Sequence, residues 1–325
     1  MTGGSTLGPL LEAMDANYLP VDIQLLQPDV EKPFRLYILL GDRFIPYSKE
    51  GEGFTEDTRQ RLLREGVRTL HILEEEKDAL RKYMNRNLEA ILGDESLTTH
   101  EKSQIVYDTC MYQIEMLWEA PQARQIEQSK RVFRQTVDHV VTADRDAVRD
   151  IILMISHETS IFTHAVNVGL LGTNLAKEIY RKSDKDLHEV GYAMFLHDIG
   201  KTKIDRRILN KPGRLSKEEW ETMKCHPEMG YELLSVEGHL TPESSVTTLQ
   251  HHERCDGEGY PRGLAGHEID ELGKICNLVD SYDALLTRRP YKPALSPYKA
   301  LKVMKEEMQD TFDRQMFKEF LYMLY

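Results

Sequence analysis

The stretch LQHHERCDGEGYP, from Leu249 to Pro261, holds two adjacent histidines, three carboxylates and two glycines within thirteen residues. The residues before it predict a helix that ends at the second histidine, so both imidazoles fall at a helix end. Gly257 and Gly259 then favour a tightly turning loop, because glycine adopts backbone angles that other residues avoid. What this stretch does depends on which other side chains converge on His251 and His252.

Length and charge narrow the classes of function. A chain of 325 residues predicts two domains, at roughly 100–200 residues per domain. The net charge of −12 argues against binding to long nucleic acid or to an anionic membrane, since both depend on many cationic side chains. A small nucleotide held in a local basic pocket is compatible with that charge.

The sequence carries no targeting or disulfide signature. Its first twenty residues contain neither the basic nor the long apolar segment of a signal peptide. No stretch approaches the ~18 apolar residues that span a bilayer. The four cysteines are scattered and form no C-x-x-C pair, which argues against a disulfide framework or a zinc–thiolate site. We therefore expect a cytoplasmic protein with reduced thiols.

The first third of the chain mixes strand and helix patterns. Apolar runs on either side of Gly41-Asp42 predict a β-hairpin, and FTEDTRQRLLREGV, residues 54–67, predicts a short helix. RTLHIL, which follows directly, predicts another strand. We expect a regulatory or sensory α+β domain over 1–120, a helical linker over 121–144 and a larger domain over 145–325.

The larger domain has a helical pattern almost throughout, and most of its unusual residues lie between the predicted helices. One hairpin-sized loop region, at 253–268, interrupts the pattern. These features predict a mainly α protein with an all-α C-terminal bundle. The helices are predicted at 144–157, 160–181, 186–197, 216–225, 227–235, 242–252, 270–286 and 297–310.

Histidines concentrate in this second half, where nine of the twelve lie between His157 and His267. A single histidine is more often a satisfied core or surface residue than a ligand. FLHDIGKTKI, however, places His197 and Asp198 together at the end of an apolar helix. Such a buried pair is costly without a partner, and a divalent metal is a natural one. The alternative is a helix-terminal histidine hydrogen-bonded to the aspartate.

Other candidate ligands surround this pair in the sequence. FTHAVNVGLL places His164 on an apolar helix, and His226 precedes Pro227, a residue favoured in the first turn of a helix. LVDSYDALL supplies Asp280 and Asp283, one helical turn apart. Histidine and carboxylate ligands of this kind suit iron, manganese, zinc or nickel.

HDIGK together with HHERCDGEGYP resembles the HD-GYP subgroup of the HD phosphohydrolase superfamily. The subgroup's His-His-Glu-x-x-Asp-Gly-x-Gly-Tyr-Pro motif is complete at 251–261, and the resemblance extends over roughly 145–320. It does not extend to 1–120. The resemblance implies an HD-type helical bundle with a cluster of two or three metals, and hydrolysis of the bacterial messenger cyclic di-GMP.

The resemblance also implies the metal ligands, and each position holds the expected residue type. We expect two divalent ions, iron or alternatively manganese, with Asp198 as the carboxylate that bridges them. Such a pair acidifies a water molecule and neutralises the phosphate. The implied ligands are His164, His197, Asp198 and Asp280 around one ion, with His226, His251 and His252 around the other.

Catalytic and substrate residues are implied in the same way. The implied catalytic residues are Lys201 and Asp198. Lys201 corresponds to the subgroup's lysine, and we expect it to contact a phosphoryl oxygen. Asp198 is expected to hold the metals. Tyr260 stacks on guanine, supports the phosphate or simply anchors its loop. Arg289 is either a phosphate ligand or a solvated surface charge. The implied substrate-binding residues are Gly259, Tyr260, Pro261, Asp283, Arg289 and Lys292.

These expectations amount to a phosphodiesterase that converts cyclic di-GMP to linear pGpG, with further cleavage to GMP left open. A cyclic-dinucleotide-binding adaptor of low turnover is an alternative, as is a phosphodiesterase for a hybrid cyclic dinucleotide. The complete ligand set argues against the adaptor. Expected partners are the cyclic dinucleotide, a second copy of the chain in a homodimer and signalling proteins, but neither a nucleic acid polymer nor a membrane.

The number of metals is a separate expectation. Some members of the subgroup carry a glutamate four residues before the first histidine ligand, and it helps to hold a third metal. Here that position is Ser160, a neutral and weak ligand, and Glu158 lies about 120° away from His164 around a helix. The sequence therefore predicts two metals, with Glu158 or His157 as the ligand to suspect if there are three.

Overall fold

The structure, a computed structural model, describes residues 17–48, 54–142, 160–180, 185–287 and 294–324. The chain divides into two compact units, Met1–Thr98 and Thr99–Tyr325. The first is a small α+β unit, and in the second the described elements are helices joined by loops. The predicted fold class, mainly α with a smaller N-terminal α+β domain, is confirmed.

A four-stranded antiparallel sheet forms the N-terminal unit together with two helices. The strand order is β1-β4-β2-β3, and β2 and β3 form the hairpin predicted around Gly41, whose φ is +64°. Phe34, Leu36, Leu70 and Ile72 lie in its core. Its elements are β1 (Tyr18–Asp22), β2 (Leu36–Leu40), β3 (Arg43–Ser48), α1 (Glu56–Arg64), β4 (Thr69–Leu73) and α2 (Lys77–Leu92).

The helices of the second unit follow the predicted positions closely. The predicted helix at 144–157 lies outside the described residues. The sequence pattern missed two helices, the short Arg206–Leu209 and the C-terminal Arg314–Leu324. A 3-10 helix, Ile199–Lys203, precedes the first of these. The helices are α3 (Thr99–Glu119), α4 (Ala123–Thr142), α5 (Ile161–Tyr180), α6 (Leu187–Leu196), α7 (Arg206–Leu209), α8 (Lys217–Met223), α9 (His226–Val236), α10 (Pro242–Gln250), α11 (Glu271–Leu286), α12 (Pro297–Glu307) and α13 (Arg314–Leu324).

Three apolar helices make the centre of this unit. α5 packs against α6 and α11, and α10 packs against α6 and α11 as well. Leu171, Leu175, Met194, Ile275 and Val279 are among the buried residues of this core. A helix that is apolar on most of its surface is stable only when other helices surround it, so α5, α6 and α11 hold each other in place.

The domain boundary differs from the expected one. Residues 99–142 were expected to belong partly to the N-terminal domain and partly to a linker, yet α3 packs against α4 and α5, and α4 packs against α6. The reason is visible in α4, where Ile126, Phe133, Val137 and Val140 are fully buried along one face. Such a stripe at helical spacing marks a packed helix rather than a free connector.

No helix within the described ranges combines the length and the apolar character that crossing a bilayer requires.

Truncation tests the boundary. A fragment of residues 99–325 should fold cooperatively, whereas 121–325 lacks α3 and with it the buried Val106, Cys110, Ile114 and Leu117. Each such side chain contributes roughly 1.5–3 kcal/mol by leaving water, so the shorter fragment should unfold at much lower temperature or aggregate. Thermal melts followed by circular dichroism compare the two. Equal midpoints would show that α3 does not belong to this unit.

Candidate metal centre

A close approach of two backbone segments brings the first ligands together. His197 directly follows α6, Asp198 begins the 3-10 helix, and Gly200 packs against the start of α9. A Cβ atom on Gly200 would lie 1.9 Å from the carbonyl oxygen of His226. Only glycine therefore permits this contact, which sets Asp198 beside His226.

The other ligands come from helix ends and from the apolar core. His226 opens α9 ahead of Pro227, and His251 caps the C-terminus of α10. His164 lies on α5 and Asp280 on α11, two of the central helices, so rigid elements present both. All seven predicted ligands converge in two groups whose candidate ligand atoms lie within 4.8 Å of one another: Asp198, His226, His251 and His252; and His164, His197 and Asp280.

Asp198 lies between the two groups. Its Oδ1 is 3.1 Å from Nε2 of His226 and 3.5 Å from Nε2 of His251. Its Oδ2 is 3.4 Å from Nε2 of both His164 and His197. One carboxylate thus presents a different oxygen to each group of imidazoles, which is the arrangement of a bridging ligand.

Backbone carbonyls fix the tautomers of three histidines. Nδ1 of His197, His226 and His251 lies 2.7–2.9 Å from the carbonyl oxygen three residues earlier in the chain. A carbonyl only accepts, so each Nδ1 carries the proton and donates it. The lone pair of each neutral ring therefore lies on Nε2, which faces the centre.

These lone pairs have no protein partner that could satisfy them. Nε2 of His226 and Nε2 of His251 are 3.1 Å apart, and both face Asp198. Among the described residues, Nε2 of His197 and Oδ1 of Asp198 are buried without a hydrogen bond. Unpaired buried acceptors are costly, and a cation between them removes the cost. The nitrogen and oxygen donors fit a divalent transition metal.

Comparison with known proteins agrees with this geometry. Residues 153–316, half of the chain, match the family model described as HD domain. The chain belongs to the HD domain family. Its complete motif at 251–261 places it in the HD-GYP subgroup.

Curated relatives match about half of the chain. The chain is 43% identical over 148 residues to a cyclic di-GMP phosphodiesterase of Thermotoga maritima, a match covering 45% of this chain and 40% of that protein. It is 35% identical over 156 residues to the 3'3'-cGAMP-specific phosphodiesterase 3 of Vibrio cholerae, covering 47% and 33%. The chain therefore spans about two fifths or less of the length of these relatives.

A solved structure shares the fold over nearly the whole chain. The HDG"Y"P protein Bd1817 of Bdellovibrio bacteriovorus superposes with a TM-score of 0.64 at 21% identity, covering 95% of this chain and 99% of that one. At 21% identity, the similarity between the two structures supports a shared fold only.

Protonation states of most of the candidate ligands suit metal binding, and His164 is the exception. Burial lowers the pKa of His226 to about 4 and also lowers the pKa of His197, so both rings are neutral near pH 7. Burial alone would raise the pKa of Asp198, but the charge of Lys201 and the neighbouring His197 hold it well below its usual range. Neutral imidazoles and an ionised carboxylate are the forms that bind metals.

Burial alone would lower the pKa of His164, but hydrogen bonds to Asp198, Asp280 and Asp283 hold it well above its usual value, so this ring must lose a proton before it binds a metal.

Asp283 has a different place from the one that the resemblance implied. Its side chain is fully buried, and its Oδ2 accepts a hydrogen bond from Nδ1 of His164 at 2.7 Å. Its Oδ1 accepts another from Asn167 at 2.7 Å, and Tyr107 on α3 donates to the amide oxygen of Asn167 at 3.0 Å. Both oxygens of this buried carboxylate are engaged by protein donors, an arrangement that differs from the substrate contact implied by the resemblance. Asp283 orients His164 instead.

Sequence reasoning missed this hydrogen-bonded chain, although a signal was present. Asn167 follows His164 by three residues on an otherwise apolar helix, and residues at that spacing share a face. A polar side chain on the ligand's own face points to a partner for the ligand.

The loop after His252 lies beside the metal centre. Glu253 accepts the backbone N–H groups of Arg262 and Leu264 at 2.7 and 2.9 Å, which closes the loop. Gly259 and Tyr260 line a cavity of about 550 Å³ that also reaches His252. The same loop continues through a cis Tyr260–Pro261 peptide bond.

The remaining predicted residues divide into three cases. Lys201 donates to Oδ2 of Asp198, so its ammonium lies at the centre. Arg289 and Lys292 lie outside the described residues, as do His157 and Glu158. The hydroxyl oxygen of Ser160 accepts the N–H of Phe162 at 3.0 Å and so caps the start of α5.

Replacing Asp283 with asparagine tests the orientation of His164. The amide lacks the charge that keeps the proton on Nδ1 and can donate to that nitrogen, which would move the proton to the metal-facing Nε2. Metal affinity and turnover should fall roughly 10–100-fold. Metal titration of the Asp283→Asn protein measures this, with Asp310→Asn as the control because its side chain is 72% exposed. Unchanged affinity would remove Asp283 from the centre.

Proposed function

We propose that this protein is a metal-dependent phosphodiesterase that hydrolyses cyclic di-GMP to linear pGpG. The observation that carries the proposal is Asp198, whose two oxygens face two groups of metal-binding side chains beside an open cavity. Hydrolysis of a phosphodiester requires an activated water and relief of charge on the phosphoryl oxygens. A pair of divalent metals, when bound, supplies both.

The ligand assignment follows the two groups. His226, His251 and His252 would hold one ion, and His164, His197 and Asp280 the other; Asp198 would serve both. Oδ1 and Oδ2 of Asp280 lie 3.2 Å from Nε2 of His164 and 3.6 Å from Nδ1 of His252, so this carboxylate also faces both groups. We infer iron as the metal and manganese as the alternative; the nitrogen and oxygen donors are compatible with both.

Lys201 is the residue placed to contact the phosphate. Its ammonium has three donors, and Asp198 takes one of them. Its side chain is 18% exposed, so its other donors remain open to a phosphoryl oxygen that approaches the metal centre. In the transition state this charge would stabilise the oxygens on which negative charge accumulates.

A hybrid cyclic dinucleotide is the second candidate substrate. The relative of Vibrio cholerae named above is a 3'3'-cGAMP-specific enzyme, and this chain is 35% identical to it over 156 residues. A binding adaptor of low turnover is less well supported, because all seven ligand positions are intact and converge.

Direct assay distinguishes these candidates. The protein is purified anaerobically, loaded with Fe(II) or Mn(II), and incubated with cyclic di-GMP, 3'3'-cGAMP and cyclic di-AMP. We expect cyclic di-GMP to give pGpG, detected by chromatography, and chelator-treated protein to be inactive. Turnover of 3'3'-cGAMP alone would support the second candidate. Tight binding without turnover would support the adaptor.

Replacing Lys201 with alanine should lower turnover about 10²-fold, by analogy with the loss of one transition-state donor. Metal content should stay unchanged, because the seven ligands remain. Lys203 is the matched control, since it lies on the same 3-10 helix and is exposed. Full activity of Lys201→Ala, or equal losses in Lys201→Ala and Lys203→Ala, would exclude Lys201 from the mechanism.

A further inference from the structure

The cavity beside the metal centre has two aromatic residues on its walls. His252, Gly259 and Tyr260 line one part, and Trp220 and Lys224 from the end of α8 line another. Its volume of about 550 Å³ lies within the usual range for a small-molecule site. The cavity therefore offers room, next to His252, for the remaining groups of a ligand whose phosphate reaches the metals.

Tyr260 already has a partner for its ring. Its centroid lies 4.6 Å from that of His252, and the two planes are tilted by only 30°. One face of Tyr260 is therefore packed on a metal-binding imidazole. This contact makes Tyr260 a positioning residue for His252.

Trp220 is an exposed aromatic side chain of the same cavity. It is 45% exposed, although tryptophan is usually well buried, and it lines the cavity. Its ring meets Tyr260 edge-on, with centroids 6.1 Å apart and planes at 77°, so Tyr260 does not stack on it.

The short helix that carries Trp220 is held firmly at its start. Ser216 and Glu219 form a reciprocal capping box, and Glu219 also pairs with Lys211. The exposed indole is therefore presented by a fixed element. Large aromatic surface at the wall of a ligand cavity is suited to stacking on a planar group.

We infer that Trp220 stacks on one purine base of the cyclic dinucleotide, an assignment that rests on the proposed function. Lys224 lies one helical turn further on the same wall, where its ammonium pairs with Glu221 at 2.8 Å. Stacking depends little on which base is present, because every base has a π face. Trp220 therefore contributes affinity to cyclic di-GMP and 3'3'-cGAMP alike, and other residues discriminate between them.

Steady-state kinetics of Trp220→Ala and Trp220→Phe test the assignment. The alanine variant should raise KM for both dinucleotides about tenfold, as loss of one stacked base implies, with metal content and kcat nearly unchanged. The phenylalanine variant should recover most of the affinity. Tyr298→Ala is the control, because Tyr298 is 70% exposed and is not among the residues that line the cavity.

Fluorescence gives an independent readout, since the chain has two tryptophans. In Trp118→Phe, Trp220 is the sole indole, and its emission should be quenched by the phosphorothioate analogue of cyclic di-GMP. In Trp220→Ala, the emission of Trp118 should not respond.

Three results would overturn the assignment: an unchanged KM in Trp220→Ala, a loss of metal in that variant, or binding of the analogue without quenching of Trp220. Wild-type protein that neither binds nor cleaves a cyclic dinucleotide would reject the proposed function and this assignment together. Normal turnover by the wild type with any of those three results would reject the assignment alone.

Discussion

The fold of the second unit must hold together buried lone pairs that repel one another. Nε2 atoms of His226 and His251 lie 3.1 Å apart, and Asp198 adds a buried negative charge beside them. Without a cation this arrangement destabilises the fold. Among the described residues, Nε2 of His197 and Oδ1 of Asp198 have no hydrogen-bond donor, while Oδ2 of Asp198 accepts from Lys201. The protein nevertheless holds the ligands in place, so part of the stability of the helical core maintains a site that is complete only with metal.

Several unrelated devices hold that geometry. Gly200 permits the close contact between the 3-10 helix and α9, backbone carbonyls fix the ring tautomers, and Asp283 orients His164. The hydrogen-bonded chain from Tyr107 through Asn167 reaches Asp283 from α3, a helix outside the motifs quoted above. A helix that looked like part of another domain therefore supports the metal centre.

The sequence predicted the ligands better than their supports. Metal-binding residue types at motif spacing can be recognised directly, which is why His197, His251 and Asp280 could be named. The role of Asp283 could not, because it lies one helical turn from Asp280. Only the packing of α5 on α11 shows that Asp280 joins the metal-binding group while Asp283 contacts Nδ1 of His164. The linker prediction was wrong for a similar reason, since the partner for the apolar stripe of α4 is α6, which is distant in sequence.

The central claim is that Asp198 is shared by two metal ions. Electron paramagnetic resonance of anaerobically Mn(II)-loaded protein tests it directly, because two ions joined by a carboxylate are magnetically coupled. The account predicts about two ions per chain and a coupled signal in the wild type, and an uncoupled six-line signal with at most one ion in Asp198→Ala. An uncoupled signal in the wild type, or a coupled pair that survives in Asp198→Ala, would contradict it.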